Sequence, residues 1–259
     1  MDDVIKSELK RIESEHAVRV LYACESGSRA WGFASPDSDW DVRFVYVHGP
    51  DWYLSILDHR DVIEEMLPND LDISGWDLRK ALQLARKSNP AFFEWLQSPI
   101  VYQQDEAFMV DLRRCLLSYY SPSKCLLHYL HMAVGNFKEN LQGPEVKLKK
   151  YLYVLRPLFA CLWLERGLAG DSRYRGQVPM EFDHLRRETV LDPGFQHALD
   201  GLLELKSRSG ELASGPRIEA ISTFIERELP RLQAAAPNTE PVPDPEALDR
   251  IFRETVLAI

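Results

Sequence analysis

Residues 23–47 read ACESGSRAWGFASPDSDWDVRFVYV, and this stretch decides the fold. The apolar, β-prone run at residues 18–24 predicts a buried strand that leads into it. Gly27 and Ser28 permit a tight turn, and the residues after them suit a short helix. Turn-prone residues then precede a second predicted strand over residues 41–47. The stretch therefore predicts a strand, a turn with a short helix, and a second strand.

Two carboxylates mark the entrance of the second predicted strand. Asp39 and Asp41 stand two residues apart, so both side chains leave the same face of an extended chain. The backbone N–H groups of Gly27 and Ser28, together with the Ser28 hydroxyl, are suited to hold a phosphate. Oxygen ligands beside such a turn predict a Mg²⁺–nucleotide site. The alternative is that the carboxylates cap the strand or pair with Arg43, which shares their face.

Several blocks of sequence resemble one family. GSRAWGF (27–33) and SDWDVR (38–43) resemble the signature of polymerase-β-type nucleotidyltransferases. Within that superfamily, the chain is similar to the bacterial branch called RNA-ligase-associated nucleotidyltransferases. Three further blocks fit this branch: LDISGWDLRK at 71–80, SNP and EWLQSP within 88–99, and KLKKYLYVLRP at 147–157. The likeness runs from about residue 18 to about residue 185.

The resemblance implies a mixed fold, α+β or α/β, in which a polymerase-β-like nucleotidyltransferase sheet with helices precedes a helical C-terminal domain. The chain after residue 105 is dominated by helical periodicity, in agreement with that order. Its predicted helices include 144–166 and 216–232. The expected domains are a catalytic domain at 1–104, a helical domain that closes the cleft at 105–235, and a Pro-rich linker with a terminal helix at 236–259.

The resemblance also implies an activity. A nucleoside monophosphate would move from a nucleoside triphosphate, such as ATP, to a hydroxyl group, and pyrophosphate would be released. Two Mg²⁺ ions are the expected cofactors, with Mn²⁺ as an alternative. Family context makes an RNA end the leading acceptor and suggests RNA repair. A protein side chain or a small-molecule hydroxyl would leave the same sequence signature.

Metal-dependent transfer usually needs a third carboxylate. Asp72 begins an apolar run and resembles the third acidic position of the family, so Asp39, Asp41 and Asp72 form the predicted catalytic and metal-binding set. Asp70 has the same parity along the strand and is the nearest alternative. Asp77 has the opposite parity and suits the cap of the following helix. A carboxylate that faces the metals could also accept the proton of the attacking hydroxyl.

The nucleotide-binding residues are assigned by charge and position. Gly27 and Ser28 are assigned to the phosphates. Arg29 and Arg43 either reach phosphate or balance the nearby carboxylates.

The helical half contains a basic segment between Lys138 and Arg156. On a helix, Lys147, Lys150 and Tyr151 would lie toward one flank of an apolar stripe, where they could touch triphosphate or acceptor. An ordinary solvated helix face explains the same pattern.

Composition narrows the class of protein. The 259 residues carry a net charge of −9, which argues against broad, non-specific binding to duplex nucleic acid. The first residues lack the pattern of a signal peptide, and the most apolar stretch is too short to cross a membrane. Four cysteines without paired spacing indicate reduced thiols, so a cytoplasmic protein without a membrane partner is expected. The oligomeric state stays open.

Two other functions compete with nucleotidyl transfer. One is a binding or regulatory module that keeps the fold without turnover; the three candidate carboxylates argue against it. The other is a glycosyltransferase that holds a nucleotide sugar through Asp39 and Asp41. Such enzymes carry a longer nucleotide-binding region before this motif than the roughly forty residues available here.

Overall fold

The computed structural model describes residues 1–209 and 214–259. The described strands are β1 (Val18–Glu25), β2 (Trp40–His48), β3 (Val62–Leu67), β4 (Leu71–Asp77), β5 (Val101–Gln104), β6 (Glu145–Lys147) and β7 (Ser214–Pro216). The described helices are α1 (Asp2–His16), α2 (Gly27–Trp31), α3 (Pro50–Tyr53), α4 (Leu78–Arg86), α5 (Pro90–Trp95), α6 (Glu106–Leu116), α7 (Pro122–Asn140), α8 (Lys149–Leu168), α9 (Phe182–Thr189), α10 (Pro193–Ser209), α11 (Glu219–Ala234) and α12 (Glu246–Leu257).

Within the described residues, the chain divides into two compact units. The sheet unit comprises Met1–Ala30, Asp39–Tyr120 and Pro241–Ile259, and the helical unit comprises Trp31–Ser38 and Ser121–Glu240. These divisions differ from the expected domain boundaries. The reason is that α6 and α12 pack with the sheet, whereas the short segment before Asp39 folds with the later helices.

Five of the described strands form one mixed sheet in the order β3-β4-β2-β1-β5. β2 and β4 run parallel, and the other neighbouring pairs run antiparallel. Buried and partly exposed residues alternate along β4, as expected for a strand with one more open face. This sheet, together with the helices that follow it, confirms the predicted fold class.

Helices cover both faces of the sheet. On one face, α1 buries Ile5, Leu9 and Ile12 against a cluster that includes Phe44 and Tyr46 of β2. On the other face, α4, α5, α6 and α12 pack on the intervening residues of β2, among them Val45 and Val47. Successive side chains of β2 therefore enter two different cores.

The helical unit is built on α7 and α8, which pack along each other. The helices predicted to begin at residues 144 and 216 begin later, at Lys149 and Glu219. The predicted starts are wrong because Glu145–Lys147 pairs antiparallel with Ser214–Pro216. Among residues 1–209 and 214–259, no helix is both long and apolar enough to span a membrane.

Candidate active site

Asp41 and Asp72 lie side by side on neighbouring strands. Each is the second residue of its strand, and the parallel register pairs them directly. Their side chains are 27% and 31% exposed, so both carboxylates reach solvent. The Arg43 guanidinium lies between them, with Nη2 3.0 Å from Asp41 Oδ1 and 2.8 Å from Asp72 Oδ2.

Arg43 is held by backbone as well as by carboxylates. Its Nη1 donates to the carbonyl oxygens of Val42, at 3.0 Å, and of Asp72, at 3.2 Å. Because the planar guanidinium bonds both strands, it fixes the two carboxylates at one distance from each other. The ion pair between Arg43 and Asp41, which the sequence left as an alternative, is present in the structure.

The entrance of β2 carries Asp39 and Arg29. Asp39 precedes the strand and is exposed. Its carbonyl oxygen accepts a hydrogen bond from Arg29 Nε at 3.0 Å. The Arg29 guanidinium lies 3.8 Å from the centre of the Trp40 ring, in cation–π contact. These contacts therefore hold Arg29 at the same edge of the sheet as Asp41.

The two alternatives to Asp72 have other structural tasks. Asp70 is exposed in the turn before β4 with a positive φ of 55°, and its carbonyl oxygen accepts from Trp40 N at 2.8 Å. It thus sets the β2–β4 register through its backbone. Asp77 caps α4 by accepting from Arg79 N at 2.8 Å, which confirms the predicted cap. The Tyr53 hydroxyl also donates to Asp77, and burial raises the pKa of this carboxyl.

Gly27 lies directly against the Asp41 carboxylate. A Cβ atom at this position would stand 2.0 Å from Asp41 Oδ2, and the φ of +60° already favours glycine. The Ser26 N–H donates to the carbonyl oxygen of Asp41 at 2.8 Å. The turn therefore packs on Asp41 without space for a side chain, and the buried Ser28 follows it at the start of α2.

Glu25 is a site residue that the sequence reasoning missed. Its fully buried carboxylate accepts from the Asp41 N–H at 2.9 Å and from the Tyr102 hydroxyl. Burial is the main cause that raises the pKa of Glu25. Glu25 thus fixes the backbone of Asp41 through this hydrogen bond. Its position at the end of an apolar strand, just before the glycine turn, was the available sequence signal.

The basic residues of the helical unit do not share one helix flank. Lys147 is exposed on β6, and Lys150 lies on α8 with Nζ 5.3 Å from the Tyr153 ring centre. Tyr151 is fully buried, and its hydroxyl bonds the Ser222 hydroxyl at 2.6 Å. The expected flank is wrong because α8 begins only at Lys149 and turns Tyr151 into the core. The nucleotide-binding roles of these residues stay predictions.

The site has the right atoms for a hard divalent cation. Asp41 and Asp72 offer carboxylate oxygens, which are the ligands that Mg²⁺ prefers. Because Gly27 has no side chain, it does not cover the Asp41 carboxylate. Among the described residues, no group of three or more His, Cys, Asp or Glu side chains is arranged to hold a metal. Arg43 supplies positive charge to the carboxylate pair instead.

Comparisons with known proteins found a family model, a relative and a solved structure that are similar to this chain. The family model described as "RNA repair pathway DNA polymerase beta family" matches residues 1–254. The Bacillus subtilis (strain 168) protein named "Uncharacterized protein YcgL" is 48% identical over 237 residues, which cover 91% of this chain and 88% of that protein. A crystal structure of a nucleotidyltransferase-like protein from Exiguobacterium sibiricum 255-15 aligns with 96% of this chain and 80% of that chain, at 13% identity and a TM-score of 0.35.

Proposed function

Because the chain belongs to the RNA repair pathway DNA polymerase beta family, we propose that it is a Mg²⁺-dependent nucleotidyltransferase. It transfers a nucleoside monophosphate from a nucleoside triphosphate to a hydroxyl group, preferably at an RNA end, and releases pyrophosphate. The observation that supports this most is the direct pairing of Asp41 with Asp72 on parallel strands, beside a glycine turn that packs on Asp41.

Three carboxylates carry the proposed chemistry. Asp39, Asp41 and Asp72 would hold the divalent ions, which when bound neutralise phosphate charge and lower the pKa of the acceptor hydroxyl. Arg43 bonds Asp72 through Oδ2. We assign the acceptance of the acceptor's proton to the other oxygen, Asp72 Oδ1. Glu25 positions Asp41 through the Asp41 N–H. Gly27 packs on Asp41 and, with Ser28, is proposed to hold a phosphate through its backbone N–H group.

Arginines and lysines are proposed to bind the triphosphate. Among them, Arg43 is the strongest candidate for a direct phosphate contact. Its guanidinium bridges two carboxylates and could exchange one carboxylate for a phosphate oxygen of similar geometry. Arg29 lies at the same edge of the sheet, and Ser28 follows the glycine turn. Lys147 and Lys150 are the candidates from the helical unit.

The reaction is proposed to take place in the cytoplasm. All four cysteines of the sequence lie in the described part of the chain, and they form no disulfide there. Cys24, Cys125 and Cys161 are buried, which suits a reducing compartment.

One observation favours a second candidate function, a nucleotide-binding module without turnover. Arg43 already neutralises part of the charge on Asp41 and Asp72, as expected of a carboxylate pair that does not bind metal. The two functions differ in whether pyrophosphate appears.

A pyrophosphate-release assay tests the proposal. The full chain is incubated with each of the four nucleoside triphosphates, Mg²⁺ or Mn²⁺, and a short single-stranded RNA with a 3′-hydroxyl. We expect turnover with at least one triphosphate, and labelled nucleotide should appear on the RNA.

Asp72→Asn should lower this turnover by several powers of ten and leave triphosphate binding nearly intact. Asp70→Asn is the matched control, since the same change two residues earlier affects an exposed turn residue. Triphosphate binding without pyrophosphate release under every condition would instead establish the binding module.

A further inference from the structure

A second cavity lies at the far end of β2 from Asp41. It has a volume of about 510 Å³ and is lined by the end of α1, the last residues of β2, Trp52 of α3, and β3. Tyr46 and His48 line it at positions five and seven residues beyond Asp41, roughly 16–23 Å along the strand. Tyr46 belongs to the core on the α1 face, whereas odd-numbered neighbours such as Val45 enter the opposite core. The cavity is therefore distinct from the carboxylate site.

Tyr46 lines this cavity, and its hydroxyl is an unusual group. The side chain is fully buried, and among the residues that the structure describes the hydroxyl has no hydrogen-bond partner. Burial raises the pKa of Tyr46, so the hydroxyl keeps its proton at neutral pH and can both donate and accept. A buried hydroxyl without a partner lowers stability unless a bound molecule satisfies it.

One wall of the cavity is a ladder of flat rings. The His48 and Trp52 rings stack with centres 4.1 Å apart and planes 8° from parallel, and Trp52 stacks on His59 at 4.9 Å. His59 is exposed at the open end of this ladder. Burial, followed by the nearby His59 and His16, lowers the pKa of His48 to about 4. At neutral pH its ring is therefore uncharged and offers one donor and one acceptor.

The charged residues around the cavity are already paired with one another. Arg60 bonds Glu64 at 2.5 Å, and Glu65 pairs with Arg11 and, at 3.8 Å, with His16. Glu15, Glu64 and Glu65 line the cavity, and each is paired with Arg11 or Arg60. A phosphate-bearing ligand would have to compete with these carboxylates for the two guanidinium groups, whereas an uncharged ligand would not.

We propose that this cavity binds an uncharged planar heterocycle, the chemistry of a free nucleobase or nucleoside. The ring would lie along the ladder of His48, Trp52 and His59, and its polar edge would bond the Tyr46 hydroxyl. The cavity volume is within the range of small-molecule sites. This site is independent of the proposed transfer reaction, because none of its lining residues belongs to the carboxylate site.

Calorimetric titration of the full chain with adenosine, guanosine, cytidine and uridine tests the proposal. At least one nucleoside should bind with one-to-one stoichiometry. Its 5′-monophosphate, and a short oligoribonucleotide with the same base, should bind at least about tenfold more weakly because of the lining carboxylates. Equal or tighter binding of the oligoribonucleotide would place the base of an RNA strand here and overturn the free nucleoside as ligand.

Tyr46→Phe should weaken nucleoside binding about tenfold, the effect of one lost hydrogen bond. The melting temperature should not fall, because the hydroxyl bonds no described residue in the fold. Tyr22→Phe is the matched control: this buried tyrosine of the same sheet donates to the Trp95 carbonyl oxygen at 2.7 Å, so its loss should lower the melting temperature and leave nucleoside binding unchanged.

His59→Ala is the second variant, because an exposed residue can be replaced without risk to folding. It should also weaken nucleoside binding. Asp41→Asn should leave that binding unchanged while it removes pyrophosphate release, so failure of one proposal is separable from failure of the other. The cavity proposal is overturned if no nucleoside binds at millimolar concentration, or if Tyr46→Phe and His59→Ala bind as the unaltered chain does.

Discussion

The two ends of β2 place opposite kinds of chemistry on one strand. At the amino end, Asp41 is partly exposed and shares Arg43 with Asp72, so charge is concentrated and compensated. At the carboxyl end, Tyr46 and His48 are neutral, and the Tyr46 hydroxyl is buried without a partner in the described residues. The charged end can be recognised in the sequence from the spacing of Asp39 and Asp41, whereas Tyr46 and His48 at the neutral end belong to a run that is typical of a core strand. Polar groups in an apolar strand can therefore be recognised only from their surroundings in the structure.

The largest effect should come from Asp39, which directly precedes β2. Asp39→Asn should abolish pyrophosphate release, because a neutral amide is a poor ligand for a divalent ion. The protein should stay folded, since Asp39 is exposed. Pyrophosphate assays and circular-dichroism melting measure the two properties, with the exposed neighbour Asp37→Asn as control. Turnover within tenfold of the unaltered chain would show that Asp39 is not needed to bind the divalent ions.

The next effect concerns the glycine that packs on Asp41. Gly27→Ala should reduce turnover by about a hundredfold, because its Cβ would have to displace the Asp41 carboxylate. Gly49→Ala, at the other end of β2, is the matched control, since no described heavy atom outside its immediate chain neighbours lies within 4 Å of an added Cβ there. Equal turnover in the two variants would show that the charged end tolerates movement of Asp41.

A smaller effect is predicted for the lysines of the helical unit. Replacement of Lys147 or Lys150 by Ala should weaken triphosphate binding by about 1–3 kcal/mol if that lysine contacts phosphate. Binding titrations at rising salt should then show a shallower dependence for the variant. Lys10→Ala on α1 provides the control for a change of net charge. If both variants bind like the control, the basic segment is a solvated surface.

The smallest effect is a pH dependence of stability at Glu25. Its pKa is raised above 4.5 in the folded chain, mainly by burial. The folded state therefore holds this proton more tightly, so the stabilising contribution is present below pH 4.5 and is lost as the pH rises through the raised pKa. Relative to the unaltered chain, Glu25→Gln should gain melting temperature as the pH rises from 4.5 to 7.

Glu106→Gln, at an exposed position, should show no such trend. Parallel melting curves for Glu25→Gln and the unaltered chain across this range would contradict the raised pKa. In that case the carboxylate beneath Asp41 would be a hydrogen-bonding group only.

The sequence was sufficient to predict the positions that depend on the spacing of residues close in the chain. The two-residue spacing predicted that Asp39 and Asp41 leave one face, and the family resemblance pointed to Asp72, which the structure pairs with Asp41 in register. Glu25 could not be assigned, because its partner Tyr102 lies 77 residues away on β5. The β6–β7 pair was missed for the same reason, since each short strand on its own resembles the start of a helix. Non-local pairing, rather than local preference, decides these positions.

The position of α12 also affects how the protein is made. Its residues Leu248, Ile251 and Val256 complete a core that begins with β1, yet they follow the helical unit in the chain. At a synthesis rate of roughly 5–20 residues per second, the ribosome needs on the order of ten seconds to pass residues 121–240. During that interval the nascent sheet exposes the apolar surface that α12 later covers. A chain stopped before residue 246 would keep this surface exposed, which makes it a substrate for chaperones and proteases.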